Sequence, residues 1–204
     1  MTLLLIIRHG NTFDKGDVIT RVGNKTDLPL SVSGRKQAGR LGKYLLKNYP
    51  DIQNIYTSNL KRTIETAEIS LADFPVNINQ SALKELDEID YGVDENQPEE
   101  NVVERIGQNA IDLWNKELIL PDGWHLDIEL VKKTWLDIAQ NAFIKNENTA
   151  VFTSNGIARF SPYILPDVEI FCKNYDLKMK TAAVSCFEHK NNAWQAKYWN
   201  YSDF

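Results

Sequence analysis

The apolar positions fall into short runs and spaced repeats. Leu3-Leu4-Leu5-Ile6-Ile7 is apolar throughout and stops at Arg8-His9-Gly10, which predicts a strand buried on both faces of a parallel sheet. After Ser33-Gly34, residues Ala38, Leu41 and Leu45 recur at helical spacing up to Tyr49-Pro50, where the proline ends the helix. Asn54-Ile55-Tyr56-Thr57-Ser58 predicts a second strand. Leu60, Ile64, Ala67 and Leu71 then mark an amphipathic helix, with Ser58 or Asn59 as its cap. Strand, polar turn and helix have thus occurred twice.

Val76 to Ile78 predicts a third short strand, followed by an acidic loop from Lys84 to Glu100. Val103, Ile106, Ala110 and Trp114 predict one helix, Pro121-Asp122-Gly123 a turn, and Ile128, Val131, Trp135, Ile138 and Ala142 another helix. Thr149 to Thr153 reads as a strand entering Ser154-Asn155-Gly156, with a helix beginning near Ile157. Thr181 to Glu188 and Trp194 to Trp199 flank Asn191-Asn192, a hairpin signal. No repeat, linker or low-complexity tract interrupts the chain, so a single domain over residues 1–204 is expected.

Composition narrows the function classes. The 23 Lys and Arg against 28 Asp and Glu give a net charge of −5, which argues against nucleic acid or an anionic membrane as partner. Cys172 and Cys186 are too few for a disulfide framework or a thiolate zinc site, and a reducing cytoplasm fits them best. The apolar run Thr2 to Ile7 lacks a basic flank and a small-residue cleavage site, so it does not read as a signal peptide. No stretch approaches the ~20 apolar residues that span a bilayer.

In an open α/β sheet, ligands bind where strands give way to helices. Three such junctions carry polar residues: Arg8-His9-Gly10-Asn11-Thr12, Thr57-Ser58-Asn59-Leu60-Lys61-Arg62 and Thr153-Ser154-Asn155-Gly156. Arg8, Arg62 and His9 meet in one pocket if the strands are neighbours. Two guanidiniums beside a neutral imidazole suit a phosphoryl group, since Arg offers forked donors to its oxygens and His a nucleophile to its phosphorus. The competing reading is a surface His with two solvated Args. Metal-dependent hydrolysis is disfavoured, because none of the 3 His lies in an H-E-x-x-H or H-x-H pattern. His125 and His189 read as structural.

These segments resemble the histidine phosphatase superfamily, the phosphoglycerate mutase-like family. Arg8-His9-Gly10-Asn11-Thr12 resembles its R-H-G-x-[TS] opening. Thr26-Asp27-Leu28-Pro29-Leu30-Ser31 with Gly34-Arg35-Lys36-Gln37-Ala38 resembles D-x-P-L-[TS] and G-x-x-Q-A. Ser58 to Ala67 resembles the S-x-L-x-R helix entry, and Leu86 to Gly92 the segment that bears the acid. The resemblance implies a three-layer α/β/α sandwich around a mainly parallel sheet, with residues about 76–135 inserted over the active site. It implies His9 as the nucleophile, Glu88 as the proton donor with Glu85 as second candidate, and Arg8, Arg62, Thr12 and Asn155 around the phosphoryl group. Among Glu85, Asp87 and Asp90, like charges are expected to raise the Glu88 pKa.

Departures from the family pattern concern the second half of the site. Asn155 stands where the family has a second His, and it reads either as a neutral donor to the phosphoryl group or as the cap of the following helix. Asn11 replaces a common Glu or Gln, Lys15 stands where the family has Asn, and the usual W-E-G after the acidic loop is missing. Arg21 and Lys25 are candidates for extra charge at the rim. The implied function is hydrolysis of a small phosphomonoester through phosphorylated His9, with no metal or other cofactor. The alternatives are a weak or inactive member that binds a phosphorylated ligand, and, ranked last, a mutase. Oligomeric state is not readable.

Overall fold

The computed structural model describes residues 1–74 and 78–204. Its strands are β1 (Thr2–Arg8), β2 (Ile52–Thr57), β3 (Asn79–Ala82), β4 (Asn148–Thr153), β5 (Val184–Lys190) and β6 (Ala193–Tyr201). They form one sheet in the order β3-β2-β4-β1-β5-β6. The β3–β2, β2–β4 and β4–β1 pairs are parallel, whereas β5 and β6 add an antiparallel edge. The fold is an α/β sandwich on a mixed sheet. Within β1, Leu4 and Ile6 join one apolar cluster and Leu5 and Ile7 the other, as expected of a strand covered on both faces.

The helices are α1 (Val32–Asn48), α2 (Lys61–Leu71), α3 (Glu99–Ile106), α4 (Gln108–Glu117), α5 (Ile128–Lys145), α6 (Asn155–Ala158) and α7 (Val168–Asn174). Leu41 and Leu45 of α1 and Ala67 of α2 pack with Leu5 and Ile7 on one face of the sheet. Val102 of α3, Trp114 of α4, Trp135 of α5, Ile157 of α6 and Phe171 of α7 pack on the other. No helix among the described residues is long and apolar enough to cross a membrane.

Several sequence expectations change in detail. The single helix expected over Val103 to Trp114 is two, because the chain breaks at Gly107 with φ +81°, a conformation that glycine adopts at little cost. Of the strand expected at Val76 to Ile78, Val76 and Asn77 lie outside the described residues, and β3 begins just past Ile78. The helix expected near Ile157 is one short turn, and α7 carried no repeat long enough to count. The turn at Asn191-Asn192 has both residues at positive φ, 52° and 61°, which suits a two-residue hairpin.

Helix α2 departs most. Its buried residues are Arg62, Thr63, Thr66, Ala67 and Ser70, so the face turned inward is largely polar. The hydroxyls of Thr63 and Thr66 donate to the Leu60 and Arg62 carbonyls of the same helix at 2.7 and 2.6 Å, which satisfies them without external partners. Neither Ser58 nor Asn59 caps it, the Ncap residue being Leu60. Asp87 instead accepts the Asn59 N–H at 2.7 Å and Asp27 the Lys61 N–H at 2.8 Å, both from distant loops.

Candidate active site

Strand order brings the three polar junctions together. β4 lies between β2 and β1, the Ser58 N–H donates to the Phe152 carbonyl at 3.2 Å, and the His9 N–H to that of Thr153 at 3.1 Å. His9, Ser58 and Ser154 are therefore adjacent at the carboxyl edge of the sheet. Thr66 of α2 accepts the Gly10 N–H at 3.1 Å and ties the His9 turn to that helix.

Beyond this edge lies a cavity of about 650 Å³ whose walls include Arg8, His9, Thr12, Arg21, Glu88, Asn155 and Arg159. His9 is buried, and its Nδ1 lies 2.7 Å from the Gly10 carbonyl oxygen. A carbonyl only accepts, so Nδ1 carries the proton and Nε2 the lone pair. Burial, then the charges of Arg62 and Arg8, hold the ring well below the ordinary imidazole pKa and keep it neutral.

Arg8 donates from Nη1 to the Met179 carbonyl at 2.5 Å, and burial pushes its pKa down to about 10. The Met179 N–H in turn donates to the Asn155 Oδ1 at 2.9 Å. One backbone segment thus orients both groups, and because a backbone N–H must meet the amide oxygen, the Asn155 NH₂ is the end left for the cavity. The capping alternative for Asn155 is overturned: the cap of α6 is Ser154, and the Asn155 oxygen serves Met179.

Arg62 does not line the cavity. It is fully buried, and its guanidinium donates to the carbonyls of Thr26 and Gly23, both at 3.1 Å, with a long 3.5 Å contact to the Ser154 hydroxyl. Its charge reaches His9 and Glu88 from within. The Nε atoms of Arg8, Arg21, Arg62 and Arg159 are all buried without an acceptor. Such donors are costly to leave unmade.

Glu88 lines the cavity and Glu85 does not. The Glu88 oxygens accept the Ile89 N–H at 3.0 Å and the Gly156 N–H at 3.2 Å. Gly156 permits this approach, since a Cβ there would lie 2.2 Å from Glu88 Oε1. The Thr153 hydroxyl donates to the Leu86 carbonyl at 2.8 Å and pins the acidic loop to the end of β4. Two of the carboxylates expected to crowd Glu88 have partners of their own. Asp87 serves α2, Asp90 pairs with Lys25 at 2.8 Å, and the charges acting with Glu88 are Arg8, Arg62 and Arg159.

The rim expectation holds for Arg21, which stacks over Trp124 and Tyr91 at 4.6 and 5.2 Å, but not for Lys25, which is spent on Asp90. His125 pairs only through its backbone with Asp90, and His189 stacks on Phe143 at 4.1 Å. Sequence reasoning missed Arg159, Trp114 and Asn115 in the cavity wall. A charged residue inside the apolar run Ile157-Ala158-Arg159-Phe160 was the available signal. No group of three or more His, Cys, Asp and Glu able to hold a metal occurs among the described residues. Burial raises the Cys186 thiol to about 11, which keeps it un-ionised.

The profile of the histidine phosphatase superfamily (branch 1) matches residues 4–202. The chain belongs to this superfamily. Among curated relatives, it is 37% identical over 117 residues to fructose-2,6-bisphosphatase TIGAR B of Danio rerio, covering 53% of this chain and 43% of that one. It is 35% identical over 109 residues to the uncharacterized phosphatase PhoE of Bacillus subtilis, covering 53% of each chain. The chain spans about half the length of the curated relatives it matches. Among solved structures, a mycobacterial glucosyl-3-phosphoglycerate phosphatase in complex with VO3 superposes with a TM-score of 0.78 at 19% identity, covering 99% of this chain and 100% of that one. That likeness shows the shared histidine phosphatase fold.

Proposed function

We propose that this histidine phosphatase hydrolyses a small phosphomonoester without a metal ion, through a phosphohistidine on His9. The observation that carries the reading is the state of His9: buried in the cavity wall, uncharged, with its proton on the nitrogen that faces Gly10. The Nε2 lone pair attacks phosphorus, the P–O bond to the leaving group breaks, and Glu88 gives that oxygen its proton. The Glu88 carboxylate then takes a proton from a water whose oxygen attacks phosphorus; the P–N bond breaks, its electron pair returns to Nε2, inorganic phosphate leaves, and Glu88 and His9 are back in their starting states. Arg8 and Arg62, with the Thr12 hydroxyl and the Asn155 amide, stabilise the charge on the phosphoryl oxygens. Residues about 76–135 cover the site in this reading, supported by Glu88, Tyr91, Glu99, Ile111 and Trp114 in the cavity wall.

Relatives named as phosphatases and a phosphoglycerate mutase support a phosphorylated small-molecule substrate. The neutral Asn155 favours a second reading, in which the site binds such a ligand without turning it over. Phosphate release from a panel of sugar phosphates, nucleotides and phosphoserine, with and without EDTA, separates the two. Turnover unaffected by EDTA, together with an acid-labile, alkali-stable phosphoenzyme lost in His9→Ala, is the expected result. Binding without any release assigns the protein to the second reading, and a divalent-metal requirement refutes the histidine mechanism.

A further inference from the structure

The cavity holds more positive charge than one phosphoryl group uses. Arg8 stands beside His9, and Arg21 is paired with Glu99. Arg159 has neither role. It is only 2% exposed, yet it lines the cavity. Its Nη2 donates to Asn115 Oδ1 at 3.0 Å, its Nη1 makes a long 3.4 Å contact with the Trp114 carbonyl, and its guanidinium lies 5.2 Å from the Trp114 ring. Its Nε has no acceptor, and no carboxylate among the described residues lies within ion-pair distance. Glu88 and Asp176 act on it only from beyond ion-pair distance, and a buried cation whose direct acceptors are all neutral is stabilised when a counter-charge arrives beside it.

Anchoring separates this cation from the phosphoryl site. Arg8 is fixed to the Met179 carbonyl, whereas Arg159 is fixed to Trp114 and Asn115 of α4. A phosphoryl group fills only a small part of a 650 Å³ cavity, so the remaining space admits the rest of a ligand. Lys178 also contributes to the wall and adds to the positive field.

We propose that Arg159, positioned by Asn115 and Trp114, is a second anion subsite, and that the ligand is a phosphomonoester carrying a further oxyanion, either a carboxylate or a second phosphate. This rests on the phosphoryl-binding reading of His9 and Arg8, and it names the substrate class and the residue that selects it. Arg159 contributes forked, planar donors, which suit either oxyanion.

Two probe pairs test it, each differing by one anionic group: 3-phosphoglycerate against glycerol 3-phosphate for the carboxylate, and fructose 1,6-bisphosphate against fructose 6-phosphate for the phosphate. Binding is measured by calorimetry on His9→Ala, so the result does not depend on turnover. The doubly anionic member of at least one pair binds about tenfold tighter or more, and the pair showing the gain identifies the oxyanion. In Arg159→Met that ratio falls to about one, and in Asn115→Ala, which frees the fork but keeps the charge, it falls part of the way. Unfolding midpoints report whether each variant is folded, and Asn115→Ala decides if Arg159→Met is not. Ratios near one for both pairs in His9→Ala, or a ratio that persists in folded Arg159→Met, overturn the proposal. Hydrolysis by the wild-type protein with ratios near one removes the subsite and keeps the hydrolase. Discrimination in binding with no hydrolysis of any probe removes the hydrolase and keeps the subsite.

Discussion

In the proposed mechanism Asn155 has two separable jobs, and two substitutions divide them. Its oxygen accepts the N–H of Met179, a residue with no exposed surface, while its NH₂ is left for the cavity. Asn155→Ala removes both. An orphaned buried N–H costs about 1–3 kcal/mol of stability, and the lost neutral donor lowers kcat/KM about tenfold, the worth of one ordinary hydrogen bond. Asn155→Asp keeps the acceptor for Met179, so stability stays within about 1 kcal/mol of wild type. The donor, however, becomes a negative charge facing the phosphoryl group. Like charges about 4 Å apart at an effective dielectric of about 20 repel by about 4 kcal/mol, so kcat/KM falls about 10³-fold. Denaturant midpoints and kcat/KM on the same preparations provide the assay. Unchanged turnover in Asn155→Asp refutes a phosphoryl-facing amide and leaves Asn155 as a structural tie for Met179 alone.

Glu88→Gln lowers kcat/KM about 10²- to 10⁴-fold for esters with poor leaving groups, and much less for p-nitrophenyl phosphate, whose leaving oxygen needs no proton; an equal loss on both argues against a proton donor. Burial and the two arginines depress the His9 pKa below the ordinary imidazole value of 6.5, so beneath pH 6.5 the unfolded chain binds a proton that the fold refuses. Stability therefore falls with acid by up to about 1.4 kcal/mol per pH unit from this group, and chemical unfolding of His9→Gln between pH 6.5 and 5 shows a correspondingly shallower slope. For Asp94, burial alone would raise the pKa, but Arg105 and the Trp124 N–H, at 2.7 Å, hold it below 3.8. Asp94→Ala costs about 2–3 kcal/mol at pH 7, less than a fully buried ion pair because Arg105 is partly exposed, and the difference from wild type shrinks as pH falls through the Asp94 pKa.

What the sequence disclosed and what it withheld divide along the range of the interactions. The strand ends at Arg8, Thr57 and Thr153 were legible because each closes a short apolar run, and a polar residue after such a run marks the sheet's carboxyl edge. The inward face of α2 was legible only in part. Apolar spacing pointed to Leu60, Ile64, Ala67 and Leu71, of which Leu60 and Ala67 are buried; Arg62, Thr63, Thr66 and Ser70 are buried with them, because hydroxyls that bond their own helix cost little to bury. Its caps were equally hidden, since Asp27 and Asp87 reach it from loops that no local pattern connects to it. Asn155 shows the same limit at the site itself. Its residue type allowed capping, and only the position of the Met179 backbone, brought in from 24 positions along the chain, decides that the amide oxygen is occupied and the NH₂ is not.

The same division explains why the groups proposed to react and those proposed to select the ligand were unequally visible. His9, Arg8 and Asn155 follow directly from strand ends, so their proximity is a consequence of the strand order β2-β4-β1 alone. Arg159, Trp114 and Asn115 meet because α4 packs against the chain just beyond α6, a contact between helices that no period in either segment encodes. The arrangement at the sheet edge is therefore fixed by the most local and repetitive feature of the fold, whereas the wall proposed to read the rest of the ligand depends on how the α3–α4 region is laid over it. Substitutions in α4 should accordingly change which ligand is accepted while leaving the arrangement of His9, Arg8 and Glu88 in place, because none of the hydrogen bonds that orient those three residues comes from α4.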